Sequence, residues 1–258
     1  MAEGSSTTFR LMTFNIHGWE DEKYRCNFDR VVDCVRTWKP DVLGLNEVTR
    51  CRTQHPGHPN CVIEAFAEKL TFFKDWTHGD SGDGYLGNAL LSSSKFSSKE
   101  TLPLQELRCA IFGELADIVV VVTHLDHMSE ELRLLQAGKL LERCKQLKKP
   151  HILMGDFNSL TRSDYDDDEW EDLIEERKSR RWELPEHKVT KLLTKSGYRD
   201  AWTVAGRPEK RFTAHVRSPK YGIDYFWLSS KWKGKVKNCQ IVQNNASDHF
   251  PLILDIEM

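Results

Sequence analysis

His151-Ile152-Leu153-Met154-Gly155-Asp156-Phe157-Asn158 is a short apolar run that ends abruptly in a glycine, a carboxylate and an amide. Its length suits a buried strand, and such an ending is how a buried strand delivers polar groups to a site. Gly-Asp followed by Asn is also an ordinary strand-to-turn transition that hydrogen-bonds its own backbone. The choice between the two turns on whether other runs in the chain end in the same manner.

Several do. Phe9 to Asn15 reads as a strand closed by Asn15-Ile16-His17-Gly18, and Val42 to Asn46 terminates at Glu47. Gly87-Asn88-Ala89 opens a strand with an amide, and Ile118 to Val122, the clearest buried strand, runs into Thr123-His124-Leu125-Asp126. Ile223 to Leu228 carries Asp224 at its start, and Asn245-Ala246-Ser247-Asp248-His249-Phe250-Pro251 precedes a last strand at Leu252 to Ile256. Singly, each has a commonplace explanation, such as an exposed loop glutamate or a satisfied structural histidine. In a layered sheet protein, however, strand ends gather at one edge and bring residues distant in sequence together. The set offers oxygen ligands for a hard cation, a histidine, and a carboxylate able to orient that histidine. It has no obvious activated serine or cysteine, so it points to metal-assisted hydrolysis by water rather than covalent catalysis.

Between these runs the spacing predicts helices. Asn27 reads as an N-cap for Phe28, Val31, Val32, Val35 and Trp38, with Pro40 as the stop. Val62 to Leu70, Glu130 to Leu147 (apolar face Leu134, Ala137, Leu141, Cys144, Leu147) and Val189 to Ser196 read likewise. Asp164 to Glu176 holds nine acidic and no basic residues and reads as an exposed helix with bases after it. Phe72 to Trp76, Leu102 to Leu107, Cys109 to Leu115 and Val236 to Val242 add strand content, and Arg207 to Tyr221 reads as a basic surface loop.

The 258 residues and 39% hydrophobic content suit one globular domain spanning 9–258 after a disordered polar lead over 1–8. No apolar run is long enough to span a bilayer, and the lead lacks a secretory pattern. Of seven cysteines, Cys26, Cys34, Cys109, Cys144 and Cys239 fall in structured segments and read as core thiols of a reducing compartment, so a cytoplasmic or nuclear location is expected. Cys51, His55, His58 and Cys61 are four metal-capable side chains on a Pro/Gly-rich loop, read as a zinc clip, a disulfide or incidental loop residues. A net charge of −2 argues against nonspecific coating of duplex nucleic acid but leaves room for a local basic groove. Candidates are Lys145/Lys148/Lys149, Arg177/Lys178/Arg180/Arg181, Arg207/Lys210/Arg211 and Lys231/Lys233/Lys235/Lys237, each more commonly a solvated face.

Thr13-Phe14-Asn15, Leu45-Asn46-Glu47-Val48, Gly87-Asn88-Ala89, Thr123-His124-Leu125, Gly155-Asp156-Phe157-Asn158, Ile223-Asp224-Tyr225 and Ser247-Asp248-His249 together resemble the ordered motifs of the endonuclease/exonuclease/phosphatase superfamily. The resemblance implies an α/β (α+β) fold of the deoxyribonuclease I type: a four-layer sandwich of two packed mixed sheets flanked by helices, with Mg²⁺ or Mn²⁺ at the sheet edge. By the same resemblance Glu47 is the principal metal ligand, with Asn15 and Asp248 beside it, and Asp156 orients or deprotonates the attacking water. Asn158 holds a phosphate oxygen, His249 stabilises the phosphorane-like charge, Asp224 orients His249, and Asn88 and His124 add phosphate contacts. Asn46 departs from the glutamine the family often carries before its metal-binding glutamate. Met12-Thr13-Phe14-Asn15 and Thr123-His124-Leu125 look more like the tyrosyl-DNA phosphodiesterase, deadenylase and sphingomyelinase branches than the abasic-site branch. The expected substrate is thus a phosphodiester, as nucleic-acid ends or single strands, acted on by a monomer. A small-molecule or lipid-headgroup phosphatase is the alternative, and a binding module without turnover a further one. Trp19, Phe157, Tyr221, Tyr225 and Phe250 lie near the motifs and are candidates for base stacking, with core packing as their default.

Overall fold

A computed structural model describes residues 8–49, 62–80, 86–207 and 209–257. The Cys51, His55, His58 and Cys61 loop lies outside the described residues, as does most of the N-terminal lead. Twelve strands are described: β1 (Phe9–Asn15), β2 (Val42–Val48), β3 (Asp75–Asp80), β4 (Gly87–Ser92), β5 (Ser98–Pro103), β6 (Cys109–Glu114), β7 (Val119–His124), β8 (His151–Asp156), β9 (Arg199–Asp200), β10 (Asp224–Leu228), β11 (Lys235–Ile241) and β12 (Leu252–Glu257). They form two six-stranded sheets, ordered β11-β12-β1-β2-β4-β3 and β5-β6-β7-β8-β10-β9. Each holds one parallel pair at its heart, β1 with β2 and β7 with β8, flanked by antiparallel neighbours.

The apolar runs of the central strands are nearly continuous because both faces of each sheet are covered. Leu11, Val42, Leu90, Leu252 and Leu254 of the first sheet meet Ile111, Val120, Val122, Ile152, Met154 and Phe226 of the second in the middle layer. On the far side of the first sheet, Met12, Phe14, Leu43, Leu45 and Leu91 pack against α1 (Phe28–Trp38) and α2 (Val62–Lys69). On the far side of the second, Val119, Val121, Leu153 and Trp227 pack against α3 (Glu130–Lys145) and, further along the chain, α5 (Lys188–Lys195). The result is the expected four-layer sandwich. Gly44 sits where the sheets press closest: a Cβ there would lie 2.5 Å from Met154 Cε.

α4 (Asp167–Arg180) starts later than its acidic run suggests, because Asp166 and Glu169 close a reciprocal capping box. The short α6 (Ala201–Val204) is capped by Asp200. Two strands are displaced from expectation. Ser98–Pro103, not Leu102 to Leu107, forms β5, since an edge strand tolerates polar residues. Phe72 and Phe73 pack onto the core from a turn, and the strand begins only at Asp75. Asn27 is not a side-chain cap: its amide donates to the Ile16 and Glu20 carbonyls, tying the loop after β1 together. Cys26 is exposed, whereas Cys34, Cys109, Cys144 and Cys239 are buried free thiols. Arg211, read as part of a basic surface loop, is wholly buried. Trp19, Phe157, Tyr221, Tyr225 and Phe250 are buried as well, so none of the five presents a ring for stacking. No described helix is long and apolar enough to cross a membrane.

Candidate active site

Strand register assembles the site. In the first sheet Asn15, Asn46 and Asn88 lie in one cross-strand row. In the second, His124, Asp156 and Asp224 form the corresponding row. Side chains alternate along a strand with period two, and each of these residues continues the set that faces the opposite sheet. Asp156 follows Ile152 and Met154, and His124 follows Val120 and Val122, all four in the inter-sheet core. The site is therefore the polar rim of that core. Glu47 would point the other way by alternation, but the β2–β4 register slips between Asn46 and Val48 and Glu47 takes a left-handed φ of 56°. This bulge turns its carboxylate toward Asn15.

The two rows interlock. The Asn15 amide donates from one nitrogen to Glu47 Oε1 (2.9 Å) and to Asp156 Oδ2 (3.1 Å). Asn46 Oδ1 accepts from the Asp156 backbone N–H at 3.0 Å, while its Nδ2 donates to Asn88 Oδ1 (2.7 Å) and the Thr123 carbonyl (3.0 Å). The shorter asparagine found in place of glutamine thus stitches the first sheet to the polar row of the second. Asp156 Oδ1 accepts the Asn158 N–H at 2.8 Å, with Asn158 in the left-handed region that asparagine tolerates. Asp224 Oδ2 accepts from His249 Nδ1 at 2.9 Å, and His249 Nε2 lies 3.8 Å from Asp156 Oδ2.

Gly155, at φ 135°, permits this weave. A Cβ there would lie 1.9 Å from the Thr123 carbonyl oxygen and 3.2 Å from Asn46 Oδ1. Gly155→Ala is expected to lower stability by about 2 kcal/mol, measured as a drop in the urea midpoint, and to lower activity by shifting Asp156. An unchanged midpoint would contradict the close approach.

Burial, reinforced by the charge of Asp224, pushes the Asp156 carboxyl up to about 7. Burial alone would discharge His249, yet the Asp224 carboxylate overcomes it and holds the imidazole protonated well above its ordinary range. Asp248 stays ionised far below the usual carboxylate range despite its burial, held there by a hydrogen bond to His215 and by the charge of His249. His124 moves the opposite way: burial and the neighbouring Arg108 cation keep it neutral.

Of the residues named from sequence, Glu47, Asn15, Asp156, Asp224 and His249 are joined by direct contacts, and Asn158 and His124 adjoin Asp156. Asp248 meets Ser247 and His215, and Ser247 in turn donates to the Asn15 carbonyl. Asn88 faces a crevice shared with Arg108 and His124, but its Oδ1 is taken by Asn46 and its amide donates to the Cys109 carbonyl. Sequence reasoning misses Arg108 and His215, which nothing local in sequence marks, whereas His17, quoted with the Asn15 strand end, donates its backbone N–H to Asn15 Oδ1 at 3.0 Å.

The donor set fits a hard divalent cation. Two carboxylates, Glu47 and Asp156, converge within hydrogen-bond reach of one amide nitrogen, and Asp224 Oδ1 is buried without a partner among the described residues. Ligand atoms of Asp156, Asp224 and His249 also lie within 4.8 Å of one another. That trio is a weaker cage, because His249 carries its proton toward Asp224 and is cationic.

A two-sheet sandwich with acids, amides and an imidazole gathered on one rim is the architecture of deoxyribonuclease I-like hydrolases. The chain belongs to the endonuclease/exonuclease/phosphatase family, whose profile matches residues 12–249. Solved structures share the fold. An endonuclease/exonuclease/phosphatase from Beutenbergia cavernae is 21% identical, with a TM-score of 0.74 over 97% of this chain and 72% of that one. A mannosyl-6-phosphatase from Bacteroides thetaiotaomicron is 14% identical, with a TM-score of 0.73 over 97% of this chain and 100% of that one. D. rerio TDP2 complexed with a single-strand DNA product is 16% identical, with a TM-score of 0.69 over 98% of this chain and 100% of that one. No curated protein sequence matches the chain.

Proposed function

We propose that the protein is a divalent-metal-dependent phosphodiester hydrolase that acts on nucleic-acid ends or single strands through attack of water on phosphorus. The observation that carries this reading is the buried Asp156 beside the Asp224–His249 pair, 2.9 Å across, on the rim where Glu47 and Asn15 meet. Asp156, with a proton affinity near neutrality, accepts a proton from the attacking water. His249, kept cationic by Asp224, faces the negative charge that grows on the phosphoryl oxygens. Asn158 donates to a phosphate oxygen, with His124 beside it. Asn88 acts mainly by fixing Asn46 and shaping the crevice. Glu47, Asn15 and Asp248 would hold Mg²⁺ or Mn²⁺, which when bound would supply positive charge to the phosphate.

A nucleic-acid substrate is favoured by what adjoins the rim. A cleft of about 650 Å³ runs beside Ser247, lined by Gln243, Asn244 and Asn245 with Lys23 and with two ion pairs, Arg25 on Asp21 and Arg217 on Glu22. Tyr24, 74% exposed and with its ring 6.1 Å from that of His17, offers the stacking surface that the buried aromatics do not. The mannosyl-6-phosphatase of similar fold supports the second reading, a small-molecule phosphatase.

A substrate panel with Mg²⁺ or Mn²⁺ separates them: cleavage of labelled single-stranded oligonucleotides and bis-p-nitrophenyl phosphate is expected. Turnover confined to sugar or inositol phosphates would favour the second reading. The metal seat has its own test in thermal unfolding. At roughly a hundredfold excess over Kd the ion is expected to stabilise the protein by about 2.7 kcal/mol, and Glu47→Ala to remove most of that shift. An equal shift in the variant would move the seat elsewhere.

A further inference from the structure

We propose that Arg108 is a positioning residue that holds His124 in the tautomer protonated at Nε2, so that this ring donates a hydrogen bond into the phosphate site. The inference rests on the phosphoesterase reading above for its consequence, though not for its geometry.

Arg108 is placed by the strand order. β6 runs antiparallel to β7 with Ala110 opposite Thr123, so the residue just before β6 lies beside the end of β7. A tight turn delivers it: the Leu104 N–H donates to the Arg108 carbonyl at 2.7 Å, and Glu106 and Leu107 adopt φ of 51° and 56°. Gln136 of α3 clamps the turn by donating to the Gln105 carbonyl at 2.8 Å. From this half-buried seat the guanidinium reaches His124 Nδ1 at 3.0 Å and His127 Nδ1 at 3.1 Å. Among the described residues it forms no ion pair with a carboxylate. An arginine whose polar contacts are two imidazoles is unusual, since charge-assisted pairing with an acid is the stronger use of a guanidinium.

The ring meets N–H donors on both sides at 3.0 Å, Arg108 at Nδ1 and Asn158 at Nε2, and a neutral imidazole can accept from only one of them, so the charged donor takes the lone pair. Arginine only donates, so both Nδ1 atoms must present lone pairs. A neutral imidazole has one donor and one acceptor, which leaves the His124 proton on Nε2. That atom lies 3.0 Å from Asn158 Nδ2 and 3.6 Å from Asp156 Oδ2. The Asn158 amide orientation is fixed independently, because its Nδ2 also donates to the Leu125 carbonyl at 3.0 Å and a carbonyl can only accept. Two N–H groups therefore stand against each other at the rim. An anionic phosphate oxygen entering the notch satisfies both at once. Without Arg108, the Asn158 N–H would instead donate to Nε2, the ring proton would move to Nδ1, and one of the two donors would be lost.

The tautomer is read directly by long-range proton–nitrogen NMR on ¹⁵N-labelled protein, with the signal assigned by comparison with His124→Gln. Wild type is expected to show His124 protonated at Nε2 and Arg108→Met to show it at Nδ1. A wild-type ring protonated at Nδ1 overturns the proposal whatever the substrate proves to be. For activity, Arg108→Met is expected to lower kcat/KM for bis-p-nitrophenyl phosphate by roughly 10- to 100-fold, with partial recovery in Arg108→Lys. The double variant with His124→Gln should be no worse than His124→Gln alone. Multiplicative losses in the double variant would show that Arg108 acts independently of His124 and would likewise overturn it. If wild type leaves this ester untouched, the functional reading fails while the NMR result still decides the tautomer.

Discussion

Asp156→Asn is expected to lower turnover by roughly a thousandfold or more while making the metal-free protein harder to unfold. The loss follows from the proposed role, since an amide cannot take the proton of the attacking water. The gain follows from the cost of keeping this carboxyl where it is. Burial, with Asp224 adding repulsion, pushes Asp156 up to about 7 from an ordinary value of 3.8. The folded chain therefore holds a proton that the unfolded chain releases across that interval. Because the folded-state pKa is raised, the stability linked to it is fully present below about 4 and is lost as pH rises through about 7. Asparagine has no such proton to lose. In the presence of a chelator, urea midpoints of wild type and variant should lie closest near about pH 4 and separate progressively up to about pH 8, the variant being higher. A variant that is less stable at the alkaline end, or that turns over at the wild-type rate, would mean that Asp156 is a structural acid and not the base.

This rim is legible in sequence because strand ends are where a buried strand must change character. Gly-Asp-Phe-Asn after Ile152 to Met154, and Thr-His-Leu after the apolar run Ile118 to Val122, announce both the strand and the polar group it delivers. Two features are hidden for physical reasons. Glu47 is named in sequence as a strand-end acid, but the bulge that turns it to the site is not, because a bulge reverses which face a residue takes without altering its neighbours in sequence. Arg108 and His215 sit on turns whose composition is ordinary, and only the pairing of distant strands brings them to the rim. The stacking candidates fail for a related reason. Proximity to a motif in sequence is not proximity to solvent, and Tyr225 and Phe157 belong to the outer face of the second sheet, under α3 and α5.

Arg211 is the plainest case of composition misleading, and it yields the second large effect. In sequence it ends a run with Arg207 and Lys210, which looks like a solvated basic face. In the fold its side chain is completely buried, with Nη2 on Asp164 Oδ2 at 2.7 Å, Nη1 on Asp200 Oδ2, and the guanidinium carbon 3.9 Å over the Tyr225 ring. Burial opposes the charge, but the flanking Asp200 and Asp164 carboxylates outweigh it and hold the guanidinium protonated. Removing the cation strands two largely buried acids, and breaking a buried ion pair from one side costs about 3–5 kcal/mol. Arg211→Met is therefore expected to lower the urea midpoint by that equivalent, although methionine fills much of the same space. The cost should reach the rim too. Thr213, two residues on, accepts the Asp224 N–H through its Oγ1 at 3.3 Å and the Phe250 N–H through its carbonyl at 2.7 Å, so the segment backs both members of the Asp224–His249 pair. Neutralising the acids tests the cause: Asp164→Asn with Asp200→Asn, an exchange that keeps the cap on α6, should restore much of the stability of the Arg211→Met protein. If Arg211→Met alone falls within about 1 kcal/mol of wild type, the side chain is solvated, as its neighbours in sequence suggest, and the cation is no keystone.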